Sequence, residues 1–308
     1  MKPPKLQADG HKVAAVVVTY NRCKLLVGAL EALRNQSFGD LSIIVIDNAS
    51  TDGTTETLAG LDWENLEVIR LDRNMGGAGG FAHGLEHAFN RGFDLFWVMD
   101  DDVLPEPTAL DALLTTYDRL RAEGSPPGLL VSQPVSDTGE PMNVPVIDRR
   151  LSPNGFPTWP KRLKEGLVPI LEASFVGVLL TRETIVKYGL PHASMFIWGD
   201  DSEYTYRICR KETCYLVANS VIVHLGRAAQ LSLSGETIED RVKLYYYFYR
   251  NNVYRARMQG WKILGLQLFR YGRDLVQVVR AGRLSRIPVL VRGVVAGFLY
   301  NPDVRYPS

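Results

Sequence analysis

Apolar and polar positions alternate in blocks along the first 135 residues. Four segments rich in apolar side chains, the first of them a continuous β-branched run, predict buried parallel strands. They cover residues 13–18, 41–46, 66–71 and 95–99. Apolar residues at helical spacing predict helices between these runs, at 25–33, 54–58 and 81–89. This order predicts an α/β fold with a doubly wound sheet and right-handed crossovers.

The pattern changes after residue 135. Residues 135–169 are rich in Pro, Gly and Asn, which predicts a loop or an irregular hairpin. Regular elements are then expected in this order: a strand at 174–180, a short helix from Thr181 to Gly189, a strand at 217–223, and amphipathic helices at 264–278 and 286–300.

Composition narrows the class of protein. The 308 residues are 46% hydrophobic and 22% charged, which is typical of a globular protein and excludes disordered and collagen-like chains. Cys23, Cys209 and Cys214 are too few for a disulfide framework, so we expect a reducing compartment. The polar start predicts no signal peptide, and no apolar run reaches the ~18 residues of a membrane-spanning helix.

Charge is distributed unevenly along the chain. Residues 241–308 contain 13 Lys and Arg against two Asp, a net charge of +11, whereas residues 1–240 carry −10. A basic tail on an acidic body predicts contact with a polyanion, either nucleic acid or an anionic membrane surface. The alternative is a basic helix that is merely solvated.

Polar side chains follow three of the predicted strands. They are residues 19–22, Asp47 and residues 100–102. Ligands collect at the carboxyl ends of strands in doubly wound sheets, so these side chains are expected to share one site.

Asp100, Asp101 and Asp102 form the first acidic cluster. Adjacent carboxylates raise one another's pKa unless a cation or solvent compensates them, and a divalent cation with oxygen ligands would do so. A solvated acidic loop is the alternative. His224, at a later strand end, is either a further ligand or a structural histidine.

A glycine-rich segment at 73–81 follows the third strand and begins a helix. Glycines there let the backbone approach a phosphate or a sugar. The dinucleotide-binding fingerprint belongs after the first strand with different spacing, and the P-loop lysine is missing, so a nicotinamide-dependent oxidoreductase is excluded.

Trp198, Asp200, Asp201 and Glu203 form the second acidic cluster, at the start of a helix. Carboxylates in this position stay ionised through the helix dipole and can meet a substrate hydroxyl. The alternative is helix capping by one Asp, with Glu203 and Arg207 as an ordinary ion pair along the helix.

Three segments together resemble family 2 glycosyltransferases of the GT-A fold, which have a mixed, mostly parallel sheet flanked by helices. They are residues 16–22, 46–54 and 100–102. Residues 73–81 and 196–201, with His224, are similar to bacterial galactofuranosyltransferases such as the mycobacterial galactan-initiating enzymes. Residues 245–252 resemble a region that these enzymes share with bacterial rhamnosyltransferases.

The resemblance implies roles for individual residues. It implies that Asp47 contacts uracil and that the nucleotide sugar also meets Thr19, Tyr20, Arg22, Asn74, Gly77, Asp100 and Asp101. Asp100, Asp102 and His224 would hold Mg²⁺ or Mn²⁺. Asp201 would be the catalytic base, although the extra Gly199 leaves Asp200 as an alternative, and Trp198 and Glu203 would bind the acceptor.

The resemblance also implies a function and a domain organisation. The expected activity is inverting, metal-dependent transfer of galactofuranose from UDP-galactofuranose to a lipid-linked or growing cell-surface glycan; dTDP-rhamnose is the alternative donor. Residues 1–135 would bind the nucleotide sugar and residues 136–235 the acceptor, together forming the catalytic domain. The net charge of +11 predicts that the helical region 236–308 lies on the anionic inner face of the cytoplasmic membrane; the alternative is that Leu264, Leu268 and Leu275 pack on the catalytic domain or on another subunit. Nucleic acid is not expected as a partner, and a homo-oligomer is possible. A non-catalytic membrane- or nucleic-acid-binding module is the alternative from another class.

Overall fold

The computed structural model describes residues 10–226 and 231–308. Within them, ten strands form one mixed sheet. The strands are β1 (Val13–Thr19), β2 (Leu41–Asp47), β3 (Leu66–Arg70), β4 (Leu95–Asp100), β5 (Val103–Pro105), β6 (Leu129–Val135), β7 (Val146–Ile147), β8 (Leu167–Glu172), β9 (Val176–Thr181) and β10 (Tyr215–His224). Their order is β3-β2-β1-β4-β9-β6-β10-β8-β7, with β5 beside β10.

Helices cover both faces of the sheet and form the C-terminal region. They are α1 (Cys23–Arg34), α2 (Thr54–Ala59), α3 (Gly76–Asn90), α4 (Ala109–Ala122), α5 (Arg182–Tyr188), α6 (Asp200–Cys209), α7 (Glu239–Gln259), α8 (Trp261–Arg280) and α9 (Ile287–Leu299). The apolar stripes of α1 and α4 pack on one face of the sheet, and those of α3, α5 and α6 pack on the other.

The parallel half of the sheet brings the predicted strand ends together. Every residue of β1 is buried, because β1 lies in the sheet interior with helices on both faces. It pairs in parallel with β2, where Thr19 is the partner of Asp47, and with β4, where Val18 is the partner of Asp100. The polar residues that follow these strands therefore meet at one edge.

The other half of the sheet departs from a simple doubly wound order. β9 runs antiparallel between β4 and β6, and β8 runs antiparallel to β10. The segment predicted as a loop or an irregular hairpin contains β7 and a 3₁₀ turn at Trp159–Glu165 before β8 begins at Leu167. The fold is the mixed α/β architecture that the resemblance implies.

The C-terminal region is helical, as predicted for 264–278 and 286–300. Helix α7 packs against both α8 and α9. The three helices share a hydrophobic core, separate from those on the two faces of the sheet, that contains Tyr245, Tyr249 and Tyr271. The Tyr249 and Tyr271 rings lie 4.7 Å apart in an edge-on arrangement. No helix of the described ranges combines the length and apolarity needed to cross a bilayer.

Candidate functional site

A cavity of about 460 Å³ opens at the carboxyl edge of β1 and β4. Most of the residues predicted for the site line it. They are Thr19, Tyr20, Arg22, Asn74, Gly77, Asp100, Asp101, Trp198, Asp200 and Asp201. The two acidic clusters, a hundred residues apart in the sequence, therefore face one cavity.

Arg22 holds the first acidic cluster together. Its guanidinium donates to Asp102 at 2.7 Å and to Asp101 at 3.3 Å, and Thr19 Oγ1 donates to Asp101 at 2.7 Å. Burial lowers the pKa of Arg22, but the charges of Asp101, Asp102 and Asp100 raise it by more, so the net pKa lies above its usual value. Arg22 therefore stays positively charged among three carboxyl groups.

Asp100 is the member of this cluster least suited to ionisation. Burial, and then the charges of Asp102, Asp101 and Asp201, raise the pKa of Asp100 well above its usual range. The contribution from Asp201 shows that the second acidic cluster lies within electrostatic reach of the first. A cation near Asp100 would relieve this repulsion.

Asp102 does not line the cavity, and it contacts His224 as well as Arg22. Its Oδ1 lies 3.1 Å from His224 Nε2, while His224 Nδ1 lies 3.0 Å from Asn143 Oδ1. Burial alone would raise the pKa of Asp102, but the hydrogen bond and charge of His224 and the charge of Arg22 lower it. Gly226 packs against this pair, since a Cβ there would lie 2.8 Å from His224 Nε2.

This donor set fits a divalent cation in its chemistry. Carboxylate oxygens with an imidazole nitrogen suit Mg²⁺ or Mn²⁺, and three Asp against one Arg leave an excess of negative charge. Over residues 10–226 and 231–308, however, no three His, Cys, Asp or Glu side chains come close enough to form a preassembled metal site. Oxygen ligands from a bound diphosphate would have to complete the coordination.

The glycine-rich segment is held at the cavity by Asn48, which sequence reasoning missed. Asn48 Nδ2 donates to the Gly76 carbonyl at 2.9 Å, and its Oδ1 accepts from the Met75 amide at 2.8 Å. Helix α3 begins here, so its N-terminal end and Gly77 border the cavity. A helix N-terminus favours an anionic group such as a diphosphate.

Other glycines of α3 have a packing role instead. A Cβ on Gly80 would lie 2.5 Å from Val18 Cγ1, and one on Gly84 would lie 2.6 Å from Val16 Cγ1. These glycines let the helix approach β1 closely. Their place in the sequence therefore reflects helix–sheet contact.

The second acidic cluster begins α6 after a strained turn. Phe196 and Trp198 have φ values of 66° and 62°, which non-glycine residues rarely adopt, and Gly199 has a φ of 97°. Asp200 is buried, and burial together with the Asp201 charge raises its pKa to about 8. Asp201 is partly exposed and accepts from the Ser202 amide at 2.6 Å.

Comparison with known proteins identifies the chain. The glycosyl transferase family 2 model matches residues 14–168, which contain β1 to β7 and the first acidic cluster. Galactofuranosyltransferase GlfT1 of Mycolicibacterium smegmatis is 32% identical over 294 residues, which cover 89% of this chain and 95% of that protein. The chain belongs to glycosyl transferase family 2.

One further relative and one solved structure are similar to this glycosyltransferase. An undecaprenyl-phosphate mannosyltransferase of Micrococcus luteus is 30% identical over 106 residues, 33% of this chain and 43% of that protein. The crystal structure of GalNAc-T7 with UDP, GalNAc and Mn²⁺ superposes with a TM-score of 0.57 at 15% identity, over 86% of this chain and 55% of that one. The chain thus spans about half the length of that structure, and this likeness shows the fold.

Four predicted residues of the glycosyltransferase do not line the cavity itself. Asp102 contacts Arg22, which does line the cavity, and His224 contacts Asp102. Asp47 is fully buried; its carboxylate accepts from the Ser50 amide at 2.9 Å and from Thr55 Oγ1 at 2.8 Å, so it fixes the turn after β2. Glu203 is buried and paired with Arg207 at 3.1 Å, which favours the structural alternative, the ion pair along the helix.

The cavity also has walls that the sequence pattern did not reveal. They come from the segments before β9 and α6 and from α7, and they are Phe175, Phe196, Ile197 and Leu244. Leu244 belongs to the C-terminal helical region. The division of the chain at residue 235 stays a prediction, but a residue beyond it borders the site.

Proposed function

We propose that this glycosyltransferase transfers galactofuranose from UDP-galactofuranose to a hydroxyl of a lipid-linked or growing cell-surface glycan, with inversion. The observation that carries the proposal is the cavity shared by the two acidic clusters. One cluster is suited to the nucleotide diphosphate, and the other is suited to an incoming hydroxyl. The GlfT1 relative, which matches 89% of this chain, supports galactofuranose as the donor sugar.

The nucleotide side of the cavity holds and neutralises the diphosphate. Arg22 and the N-terminal end of α3 provide positive charge, and Thr19, Tyr20, Asn74 and Gly77 line the same side. Asp102 and His224, with Asp100, would hold a Mn²⁺ or Mg²⁺ ion, which stabilises charge on the departing diphosphate when it is bound. Arg22 must then exchange its carboxylate partners for phosphate oxygens.

The acceptor side provides one base. The acceptor oxygen forms a bond to the anomeric carbon as the bond from that carbon to the diphosphate breaks, and Asp201 takes the hydroxyl proton while UDP leaves. A single displacement of this kind inverts the anomeric configuration. Asp200 is the poorer base at neutral pH, because its pKa of about 8 keeps it protonated.

A transfer assay tests the donor and the reaction together. The purified protein is incubated with Mn²⁺, a polyprenyl diphosphate-linked saccharide and either UDP-galactofuranose or dTDP-rhamnose, and nucleotide release and the extended glycan are measured. We expect product with UDP-galactofuranose and none with dTDP-rhamnose. Product with dTDP-rhamnose alone would overturn the donor assignment and leave the reaction class intact.

We also propose that the basic C-terminal region contacts the anionic inner face of the cytoplasmic membrane, close to a lipid-linked acceptor. Four of the six exposed large apolar residues of α8 share one side of the helix: Trp261, Phe269, Val276 and Val279. A basic stripe lies beside them: Lys262, Arg270, Arg273 and Arg280. Asp274, the acidic residue of this helix, accepts from Tyr249 on α7 instead.

This arrangement is typical of a helix lying in a membrane interface. Each basic residue near an anionic surface contributes about 1 kcal/mol of attraction at moderate ionic strength. In flotation with vesicles containing phosphatidylglycerol, we expect binding that weakens with salt and with Trp261→Ser/Phe269→Ser. Val186→Ser, at an exposed apolar position on α5, is the control. Equal binding to neutral vesicles, or self-association through this stripe without vesicle binding, would contradict the proposal.

A further inference from the structure

The segment 194–199, called here the acidic-cluster loop, has a backbone that cannot be stable by itself. It contains two non-glycine residues with positive φ, Phe196 and Trp198, and it leads directly into Asp200 and Asp201. Residues in this region cost on the order of 1–3 kcal/mol each and persist only where their surroundings hold them. Something outside the loop must therefore fix it.

Asn251 of α7 provides the largest set of contacts to this loop. Its Nδ2 lies 2.9 Å from the Met195 carbonyl oxygen, 3.0 Å from that of Ile197 and 3.0 Å from that of Trp198. The side chain is fully buried. One amide group therefore contacts three carbonyl oxygens of an irregular backbone segment, of which only Met195 belongs to a short 3₁₀ turn.

Arg250 orients that amide. Its Nε and Nη2 donate to Asn251 Oδ1 at 3.0 and 2.9 Å, so the oxygen is committed to Arg250 and the nitrogen must face the loop. Arg250 Nη2 also donates to the Ser194 carbonyl at 2.6 Å. Hydrogen bonds to a charged donor are stronger than neutral ones, and this pair leaves one orientation for the amide.

The opposite side of the loop is fixed by α3. The Phe196 carbonyl accepts from the Ala78 amide at 3.1 Å. The loop is thus held between the N-terminal end of α3, on the nucleotide side, and α7, with Trp198 packed on Tyr245 at 5.2 Å. The motif at 245–252, which the function proposed above leaves without a role, is the part of the chain that makes these contacts.

We propose that Asn251 is a positioning residue for glycosyl transfer: its amide holds the acidic-cluster loop in the conformation that directs Asp200 and Asp201 into the cavity. It touches neither nucleotide nor acceptor. The rate measurement below rests on the transfer reaction proposed above, whereas the hydrogen-exchange measurement does not.

Asn251→Asp tests the proposal most directly. It keeps the volume and the oxygen that Arg250 binds, and it replaces the amide donor by a carboxylate oxygen that faces three carbonyls. We expect kcat to fall about 100-fold, the cost of a small misplacement of reacting groups, while the affinity for UDP stays near that of the wild type. Amide exchange at residues 194–203 should become faster, with β1 and β2 unchanged.

Asn252→Ala is the matched control. Asn252 is the next residue of the same helix, and its side chain hydrogen-bonds to the Phe248 carbonyl and to Arg255, both on α7, and not to the backbone of the loop. We expect wild-type kcat and wild-type exchange in the loop. Asn251→Ala, which introduces no charge, should reproduce the effect of Asn251→Asp in weaker form.

Several results would overturn the proposal. These are wild-type turnover and exchange in Asn251→Asp, an equal loss of UDP affinity and kcat with faster exchange throughout the chain, or failure of both Asn251 variants to fold, which would show a global rather than a local role. If the wild-type protein transfers neither sugar, the proposed function fails, and the exchange measurement still decides whether Asn251 holds the loop.

Discussion

Gly76 packs directly against the backbone of Phe196. A Cβ atom on Gly76 would lie 2.0 Å from the Phe196 carbonyl oxygen, and Gly76 itself has a φ of +71°. This contact joins the start of α3, on the nucleotide side, to the loop that precedes the second acidic cluster. The two sides of the cavity therefore keep their relative positions only while residue 76 has no side chain.

Gly76→Ala should separate the two halves. The left-handed backbone and the clash together should cost about 3 kcal/mol of unfolding free energy, or displace the loop and abolish turnover. Gly77→Ala is the matched control for stability, because no atom beyond its chain neighbours and the backbone of its own helix lies within 4 Å of a Cβ at that position. Denaturant unfolding measures both variants. Wild-type stability together with wild-type turnover in Gly76→Ala would contradict the contact.

Substitution of each aspartate in turn separates the roles of Asp200 and Asp201. Asp200 keeps its proton at pH 7, since its pKa is about 8, so Asp200→Asn should retain turnover within several-fold. Asp201→Asn should lose turnover by about 10²–10⁴-fold, the usual contribution of a general base, while UDP still binds. Steady-state rates decide between them; the reverse pattern would make Asp200 the base.

The same substitution has a consequence for stability. The folded-state pKa of Asp200 is about 8, whereas its ordinary value is 3.8. As pH rises between these two values, the unfolded chain loses this proton while the folded chain keeps it. The free energy of unfolding of the wild type should therefore fall, relative to Asp200→Asn, between about pH 4 and pH 8. Melting temperatures of the two proteins near pH 5 and pH 8 measure this difference, which should be larger near pH 8.

The strand ends and their shared edge could be predicted from the sequence because their signal is local. Each of β1, β2 and β4 is a mostly apolar segment that ends in a polar residue, and parallel pairing then places Thr19, Asp47 and Asp100 at one edge. The resemblance, and not the strand pattern, predicted that the second acidic cluster lies at the same site as this edge. The antiparallel pairing of β9 with β4 could not be predicted in this way, because the apolar pattern of a strand is the same for parallel and antiparallel neighbours.

The contribution of α7 could not be predicted for a physical reason. This helix is rich in Tyr, Arg and Asn, so it lacks the clear apolar stripe that marks an amphipathic helix. Asn251 bonds to a loop more than fifty residues earlier in the chain, and Leu244 meets the cavity from the same helix. Pairing of Arg22 with Asp101 and Asp102 was likewise invisible, because it depends on the turn after β1.

The buried side chain of His192 should make the folded protein less stable in acid. Burial, and then the charge of Arg207, lower the pKa of His192 from 6.5 to about 4, so the folded protein holds it neutral. Below pH 6.5 the unfolded chain binds a proton that the folded chain does not, and stability is lost as pH falls toward 4, by up to about 3 kcal/mol. Denaturant unfolding at several pH values measures this loss.

Two variants isolate the histidine from other titrating groups. His192→Gln should show a flatter dependence of unfolding free energy on pH between 6.5 and 4 than the wild type. His83→Gln, at an exposed position on α3, should follow the wild type. Identical pH dependence in all three proteins would mean that His192 titrates normally in the folded state.

Asp102 is the residue on which metal-dependent donor binding should depend most. It is the carboxylate in direct contact with His224, and its lowered pKa keeps it ionised and ready to bind a cation. Calorimetry with UDP should show tighter binding with Mn²⁺ than without it in the wild type. In Asp102→Ala the metal should no longer tighten binding, a loss of about tenfold or more.

Asp40→Ala controls for the removal of one negative charge, since Asp40 is exposed and directly precedes β2, at the end of the sheet opposite to the cavity. It should keep the metal effect in full. Without metal, Asp102→Ala should bind UDP at least as well as the wild type, because Arg22 loses one of its two carboxylate partners and becomes freer to meet the diphosphate. An undiminished Mn²⁺ effect in Asp102→Ala would place the cation elsewhere, and weaker metal-free binding would show that Arg22 needs Asp102 to be positioned.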